Sequence, residues 1–130
     1  MTTTDILTAY YDAFNRGDTE AMHALLAEDV EHHVNQGGIR KGKAAFVDFS
    51  AHMTRCYAET LTDIVIFANG ERGAAEFIVN GTYKADDEGL PPARGQTYRL
   101  PAGTFFTLKD GKIARVVTYY NLADWVAQVS

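Results

Sequence analysis

The stretch Asp12-Ala13-Phe14-Asn15-Arg16-Gly17-Asp18, followed by Ala24-Leu25-Leu26-Ala27-Glu28-Asp29-Val30, decides how this chain folds. It reads as the end of one helix, a tight stop at Gly17, a second short helix and then a strand. Upstream, Ile6, Leu7, Tyr10, Tyr11 and Phe14 recur at the spacing of a single helical face, with Thr4 as the N-cap. Gly17 suits the left-handed position that closes a helix. Asp18 then caps the next one, whose apolar face is Ala21, Met22, Leu25 and Leu26.

Working outward, residues 30–35 read as a strand that Gly37-Gly38 breaks, and residues 42–57 return to helical period with Phe46, Phe49, Met53 and Cys56 on one face. The rest is sheet. Residues 60–68 and 73–83 are strands joined at Asn69-Gly70, a strong hairpin signal. A loop over 86–94 carries Pro91-Pro92. Strands over 97–108 and 113–120 turn at Lys109-Asp110-Gly111-Lys112, and residues 121–129 form a short last helix. Helices packed on one side of an antiparallel-rich sheet make an α+β fold.

With 130 residues, residues 1–130 are expected to form one domain. Hydrophobic residues make up 46%, enough for a real core, and the formal net charge of −5 argues against a nucleic-acid partner. Cys56 is the only cysteine, which excludes an internal disulfide and a cysteine-based metal cluster. No apolar run reaches membrane-span length, and Met1-Thr2-Thr3-Thr4-Asp5 lacks the basic and apolar segments of a secretory signal, so a cytoplasmic location is expected.

Asn15-Arg16-Gly17-Asp18, Ala27-Glu28-Asp29-Val30, Arg40-Lys41-Gly42-Lys43-Ala44-Ala45-Phe46 and Asp110-Gly111-Lys112-Ile113 together resemble the nuclear transport factor 2-like superfamily, within it the SnoaL-like and ketosteroid isomerase-related proteins. The resemblance covers nearly the whole chain. It implies a curved, mixed, cone-shaped sheet over N-terminal helices, and a deep apolar pocket capped by the first helix. These segments are turn, cap and core positions, so they mark a fold rather than a reaction. Ketosteroid isomerases use an aspartate base, with a tyrosine and a protonated aspartate stabilising the enolate. Tyr10 matches the tyrosine. The base position falls on Val34 or His33 and the second acid on Gly103, none of them a carboxylate.

Strand alternation sorts the remaining candidates. His32 shares a face with Val30 and Val34 and points inward, where it is either the acid or base of a reaction or a hydrogen-bonded core histidine. Tyr10 is either a donor to a substrate oxygen or an amphipathic core residue. Phe77 and Val79 line the concave face with Ala75 and Gly81, as do Val116, Thr118 and Tyr120. Asn35, Arg99 and Phe105 complete the expected ligand-binding set, with Arg99 either at the pocket mouth or an ordinary surface arginine. No residues show metal-ligand spacing, Cys56 reads as core packing, and neither metal nor cofactor is expected. Ile78, Val117 and Tyr119 on the outer face would be costly in water, which predicts a homodimer through the sheet. The functional expectation is cofactor-free isomerisation, cyclisation or dehydration of a small apolar carbonyl compound. The alternative is a hydrophobic-ligand-binding or dimeric scaffold module without catalysis.

Overall fold

Thr2, not Thr4, opens the first helix. Its hydroxyl accepts from the Asp5 amide while the Asp5 carboxylate accepts from the Thr2 amide, a reciprocal cap that satisfies two otherwise orphaned donors. The computed structural model describes residues 1–130. In chain order they form α1 (Thr3–Arg16), α2 (Thr19–Ala24), β1 (Leu26–Val34), β2 (Arg40–Lys41), α3 (Lys43–Cys56), β3 (Tyr57–Asn69), β4 (Arg72–Tyr83), β5 (Thr97–Lys109), β6 (Lys112–Tyr120) and α4 (Leu122–Val129). Gly17 takes the left-handed conformation at φ 71° and Asp18 caps α2 through the Ala21 amide, as the sequence predicts. Leu26 belongs to β1 rather than to α2, because the helix stops at Ala24.

The strands form one open six-stranded sheet in the order β2-β1-β6-β5-β4-β3. All neighbours are antiparallel except β1 and β6, which run parallel, so the sheet is mixed. The β5–β6 connection is a two-residue turn whose Asp110 and Gly111 both have positive φ, 52° and 75°, the twist-matched hairpin geometry. No helix is long and apolar enough to cross a membrane.

Register assigns each side chain to a face. His32, Val116, Phe106 and Gly73 form one concave row, and Val34, Thr118, Thr104 and Ala75 the next. Tyr120, Ala102 and Phe77 follow, then Leu100, Val79 and Leu61, and then Tyr98, Gly81 and Glu59. Tyr83 and Tyr57 close the series, stacked with ring centroids 5.3 Å apart. On the concave side, α1 buries Ile6, Leu7, Tyr10 and Tyr11. At the other end, Trp125 of α4 packs edge-on against Tyr57, Tyr83 and Tyr98.

Side-chain amides close two gaps in the hydrogen bonding. Asn15 both donates to the Leu61 carbonyl and accepts from the Leu61 amide at 2.9 Å, beside the β3–β4 register shift between Thr62 and Val65. Gln128 does the same for Arg99, at 2.8 and 2.9 Å, where β5 extends past the end of β6. Each replaces a missing neighbouring strand.

Gly81 is the most constrained glycine. The Tyr98 ring lies flat over it, in the space a Cβ would fill. Gly81→Ala is expected to destabilise the protein by about 1–3 kcal/mol through overpacking, read as a lower urea midpoint with an unchanged slope. The double variant Gly81→Ala/Tyr98→Leu is expected to recover part of that loss.

Candidate functional site

The space under α1 is filled. Tyr10 and Tyr11 meet edge-on at 5.3 Å, both reach the Phe106 ring, and Tyr11 also packs on Phe77. Burial pushes both phenols far above the ordinary tyrosine range. The expected deep pocket is therefore absent at this end, because four aromatic rings occupy it. Shallower hollows do open on the surface, two of them sizeable. One of about 420 Å³ lies between α1 and β3 beside Thr8 and Ile66, and one of about 550 Å³ lies on the convex face.

His32 points inward, as alternation requires, and is only 4% exposed. Its ring sits 4.7 Å from Phe46 and 4.8 Å from Phe49, and the Arg40 guanidinium lies over Phe49. Its Nδ1 has no hydrogen-bond partner. Burial, then the charges of Arg40 and His33, lower its pKa to about 4, so at neutral pH it is an uncharged and weak base. Val116 separates it in register from Phe106, against which Tyr10 packs. The structure thus does not bring Tyr10 and His32 together.

Phe77, Val79, Val116, Thr118 and Tyr120 all stand on the concave face. Asn35 serves the backbone instead. Its carboxamide oxygen accepts from the Tyr120 amide at 2.8 Å, prolonging the β1–β6 pairing. Arg99 and Phe105 require a correction. Their strand has the opposite parity to the one expected, so Tyr98, Leu100, Ala102, Thr104 and Phe106 face inward. Arg99, Pro101, Gly103 and Phe105 face outward, and Phe105 is 50% exposed. Arg99 lines the open convex groove with Asp63, Glu76, Ile78, Pro101 and Tyr119. Gly103, matched to the second acid, also lies on the wrong side of the sheet for that role.

Polar chemistry gathers instead at the far end of the concave face. Glu59 and Tyr98 occupy strands two apart, separated in register only by Gly81. At about 4.8 Å per strand the phenol can cross an empty glycine position, and its hydroxyl donates to Glu59 Oε2 at 2.6 Å. Burial raises the Glu59 carboxyl above the usual carboxylate range, although the Tyr98 hydrogen bond pulls it back. Nearby, Tyr57 donates to Asp87 Oδ2 at 2.6 Å, and His52 Nε2 lies 2.9 Å from Asp87 Oδ1. The Tyr83 hydroxyl donates to the Pro91 carbonyl and accepts from the Asp87 amide, which fixes the loop carrying Asp87. Tyr120 completes the group. Its phenol is raised by burial and then by the negative charges of Glu59 and Asp87, so it stays protonated. This end of the concave face thus joins a half-buried carboxyl and a phenol to the packed rings of Tyr57, Tyr98 and Trp125.

Of the residues expected from sequence, only Tyr120 is linked to this group, through the charges of Glu59 and Asp87. Glu59 was missed because β3 starts at Tyr57, three residues before its expected start. Tyr98 was missed because adjacent Phe105 and Phe106 make both parities of β5 look apolar. His52, four residues before Cys56, was a readable helical pair.

A sequence profile of the SnoaL-like domain matches residues 7–116. The chain belongs to the SnoaL-like domain family. It is similar to a candidate polyketide cyclase of Pseudomonas putida KT2440, with 60% identity and a TM-score of 0.98 over 100% of this chain and 99% of that one. A candidate polyketide cyclase of Silicibacter sp. TM1040 shares 62% identity and a TM-score of 0.95, over 98% of this chain and 94% of the other. An NTF2-like protein of Burkholderia xenovorans LB400, at 18% identity and TM-score 0.79 over 100% and 98% of the two chains, shares the fold. A comparison with curated proteins finds no match. The SnoaL-like, NTF2-like architecture inferred from the opening helices is therefore correct.

Because His32 is lowered to about 4, an unfolded chain takes up its proton near pH 6.5 while the folded one does not. Stability present above pH 6.5 is thus lost as pH falls toward 4, by on the order of 3 kcal/mol. His32→Leu is expected to lose less stability than the unaltered protein between pH 7 and 4, measured as the change in urea midpoint.

Proposed function

We propose that this SnoaL-like protein binds a small apolar carbonyl compound at the Glu59 end of the concave face and moves a proton on it without a cofactor. The class of reaction is isomerisation, cyclisation or dehydration. The observation that carries this reading is the Glu59 carboxyl on the concave face, held by the Tyr98 hydroxyl at 2.6 Å and raised by burial above the usual carboxylate range. A general base is most effective when its pKa approaches the working pH. In this reading Glu59 accepts a proton from the carbon beside the carbonyl, and Tyr120 donates a hydrogen bond to the enolate oxygen. Tyr98 orients the carboxylate, and the rings of Tyr57 and Trp125 hold the apolar body of the ligand. The description of similar proteins as candidate polyketide cyclases supports an enolisable carbonyl substrate. His32 is too weak a base for this step, and Tyr10 is held within packed rings.

The test is deuterium exchange at the α-carbon of cyclic enones and β-diketones in D₂O, followed by proton NMR. Glu59→Gln, which retains an acceptor for Tyr98, is expected to slow exchange by about 10²–10⁴-fold. Tyr120→Phe is expected to slow it less while leaving the melting temperature close to that of the parent. Equal exchange in Glu59→Gln and the parent would end the catalytic reading. Saturable ligand binding without exchange would leave the binding-module alternative.

We also infer a homodimer through the convex face. Phe67, Phe105 and Val65 are 56%, 50% and 44% exposed there, and Phe105 pairs edge-on with Tyr119. Such a patch gains about 25 cal/mol per Å² on burial. Phe105→Lys is expected to convert a dimer into a monomer in sedimentation equilibrium. A monomeric parent protein at micromolar concentration would refute the inference.

A further inference from the structure

The last turn of α3 and the loop after β4 bring together three side chains of different ligating chemistry. His52 and Cys56 stand four residues apart and so share a helix face, while Asp87 enters from the loop. His52 Nε2 lies 2.9 Å from Asp87 Oδ1 and 4.0 Å from Cys56 Sγ, and the three donor atoms lie within 4.8 Å of one another. Around a tetrahedral zinc ion with bonds of about 2.0–2.3 Å, neighbouring donors stand about 3.3–3.6 Å apart. The cluster reaches that arrangement if N···O opens and N···S closes by about 0.4 Å each, and S···O closes by up to about 1.2 Å through side-chain torsion.

We propose that His52, Cys56 and Asp87 form a zinc site, with imidazole, thiolate and carboxylate as ligands and a fourth position open to solvent. The Cys56 sulfur is fully buried, whereas the His52 and Asp87 side chains are 37% and 18% exposed, so the ion enters from the His52 side. One dication with one thiolate and one carboxylate is neutral overall, which suits a half-buried position. The mixed soft and borderline donor set favours zinc over calcium or magnesium.

Every group facing the cluster has a definite role. The Arg55 guanidinium donates to His52 Nδ1 at 2.9 Å, which places the imidazole proton on Nε2, aimed at Asp87. Tyr57 donates to the other Asp87 oxygen, and the Cys56 thiol points at the Asp86 carbonyl, 3.6 Å away. Metal entry therefore requires the exposed Arg55 to withdraw, so that the imidazole proton moves from Nε2 to Nδ1. The thiol proton leaves to buffer. About one proton is thus released per ion bound. Arg55 is thus a competitor for the site, and the bound ion would fasten the loop after β4 to α3.

The experiment uses the full chain, stripped with a chelator and titrated with ZnCl₂ by calorimetry in two buffers of different ionisation enthalpy, and separately with CoCl₂ by absorption. The expected result is one ion per chain and about one proton released, with a thiolate-to-cobalt charge-transfer band in the near ultraviolet. Cys56→Ser is expected to abolish that band and weaken zinc by more than about 100-fold, beyond the effect of an outer-shell change. Arg55→Ala is expected to tighten zinc binding. If Cys56→Ser does not fold, the cobalt spectrum of the unaltered chain still decides. Absence of the charge-transfer band, absence of saturation at one ion per chain, or equal zinc affinity in folded Cys56→Ser would each overturn the proposal.

Discussion

A carboxyl group drawn out of water is tolerated only when a donor reaches it, and here the donor comes from two strands away. The Tyr98–Glu59 hydrogen bond of 2.6 Å exists because the intervening strand presents Gly81, whose missing side chain leaves a channel for the phenol. Much else rests on that ring. Once Tyr98 lies flat across β4, its outer surface becomes part of the floor on which Trp125 packs, and Trp125 also meets Tyr57 and Tyr83. The position of α4 follows. Gln128 on that helix then reaches the backbone of Arg99, next to Tyr98, and Gln96 holds the helix end through the Val129 carbonyl. A single absent Cβ thus links the Glu59 end of the concave face to the placement of the last helix.

The two ends of the concave face illustrate opposite solutions to the same burial problem. Under α1 the sheet is covered by rings that fit one another, and the space is occupied. At the other end the rings are interrupted by Glu59 and Asp87, each held by a tyrosine hydroxyl at 2.6 Å. Desolvation raises both the carboxyl of Glu59 and the phenol of Tyr120, so each holds its proton more firmly than it would in water. The proposed proton transfer divides these roles, with one group accepting a proton while the other only donates a hydrogen bond. His32, pressed between Phe46 and Phe49 near a cation, has been driven the other way and is chemically quiet at neutral pH.

Much of the architecture was legible in the sequence because it depends on local signals. The Gly17 stop, the Asp18 cap, the Asp110-Gly111 turn and the alternation in β4 and β6 each carry their own physical reason, and the SnoaL-like resemblance rests on them. The Glu59 end of the concave face was less legible because it depends on register. Glu59 and Tyr98 are 39 residues apart in sequence, and only the pairing of β3, β4 and β5 sets them on one row. Periodicity also failed where it was ambiguous. Phe105 and Phe106 make both faces of β5 apolar, and the inward set is decided by Leu100, Thr104 and Leu108 against exposed Arg99 and Lys109. The two-residue strand β2 is too short to carry a periodic signal.

That register also explains why the isomerase pattern cannot simply be transferred. Of the positions matched to its carboxylates, Val34 is concave but apolar, while His33 and Gly103 lie on the convex face. Restoring an aspartate at Gly103 would therefore place it outside, on the surface that carries Phe105 and Tyr119. An acid serving the concave side must come from another strand or loop. Glu59 on β3 and Asp87 on the loop after β4 meet that requirement, each held by a phenol that restrains the carboxylate. The proposed relocation moves the chemistry from the helix-covered middle of the sheet to its aromatic end, beside Tyr98 and Trp125.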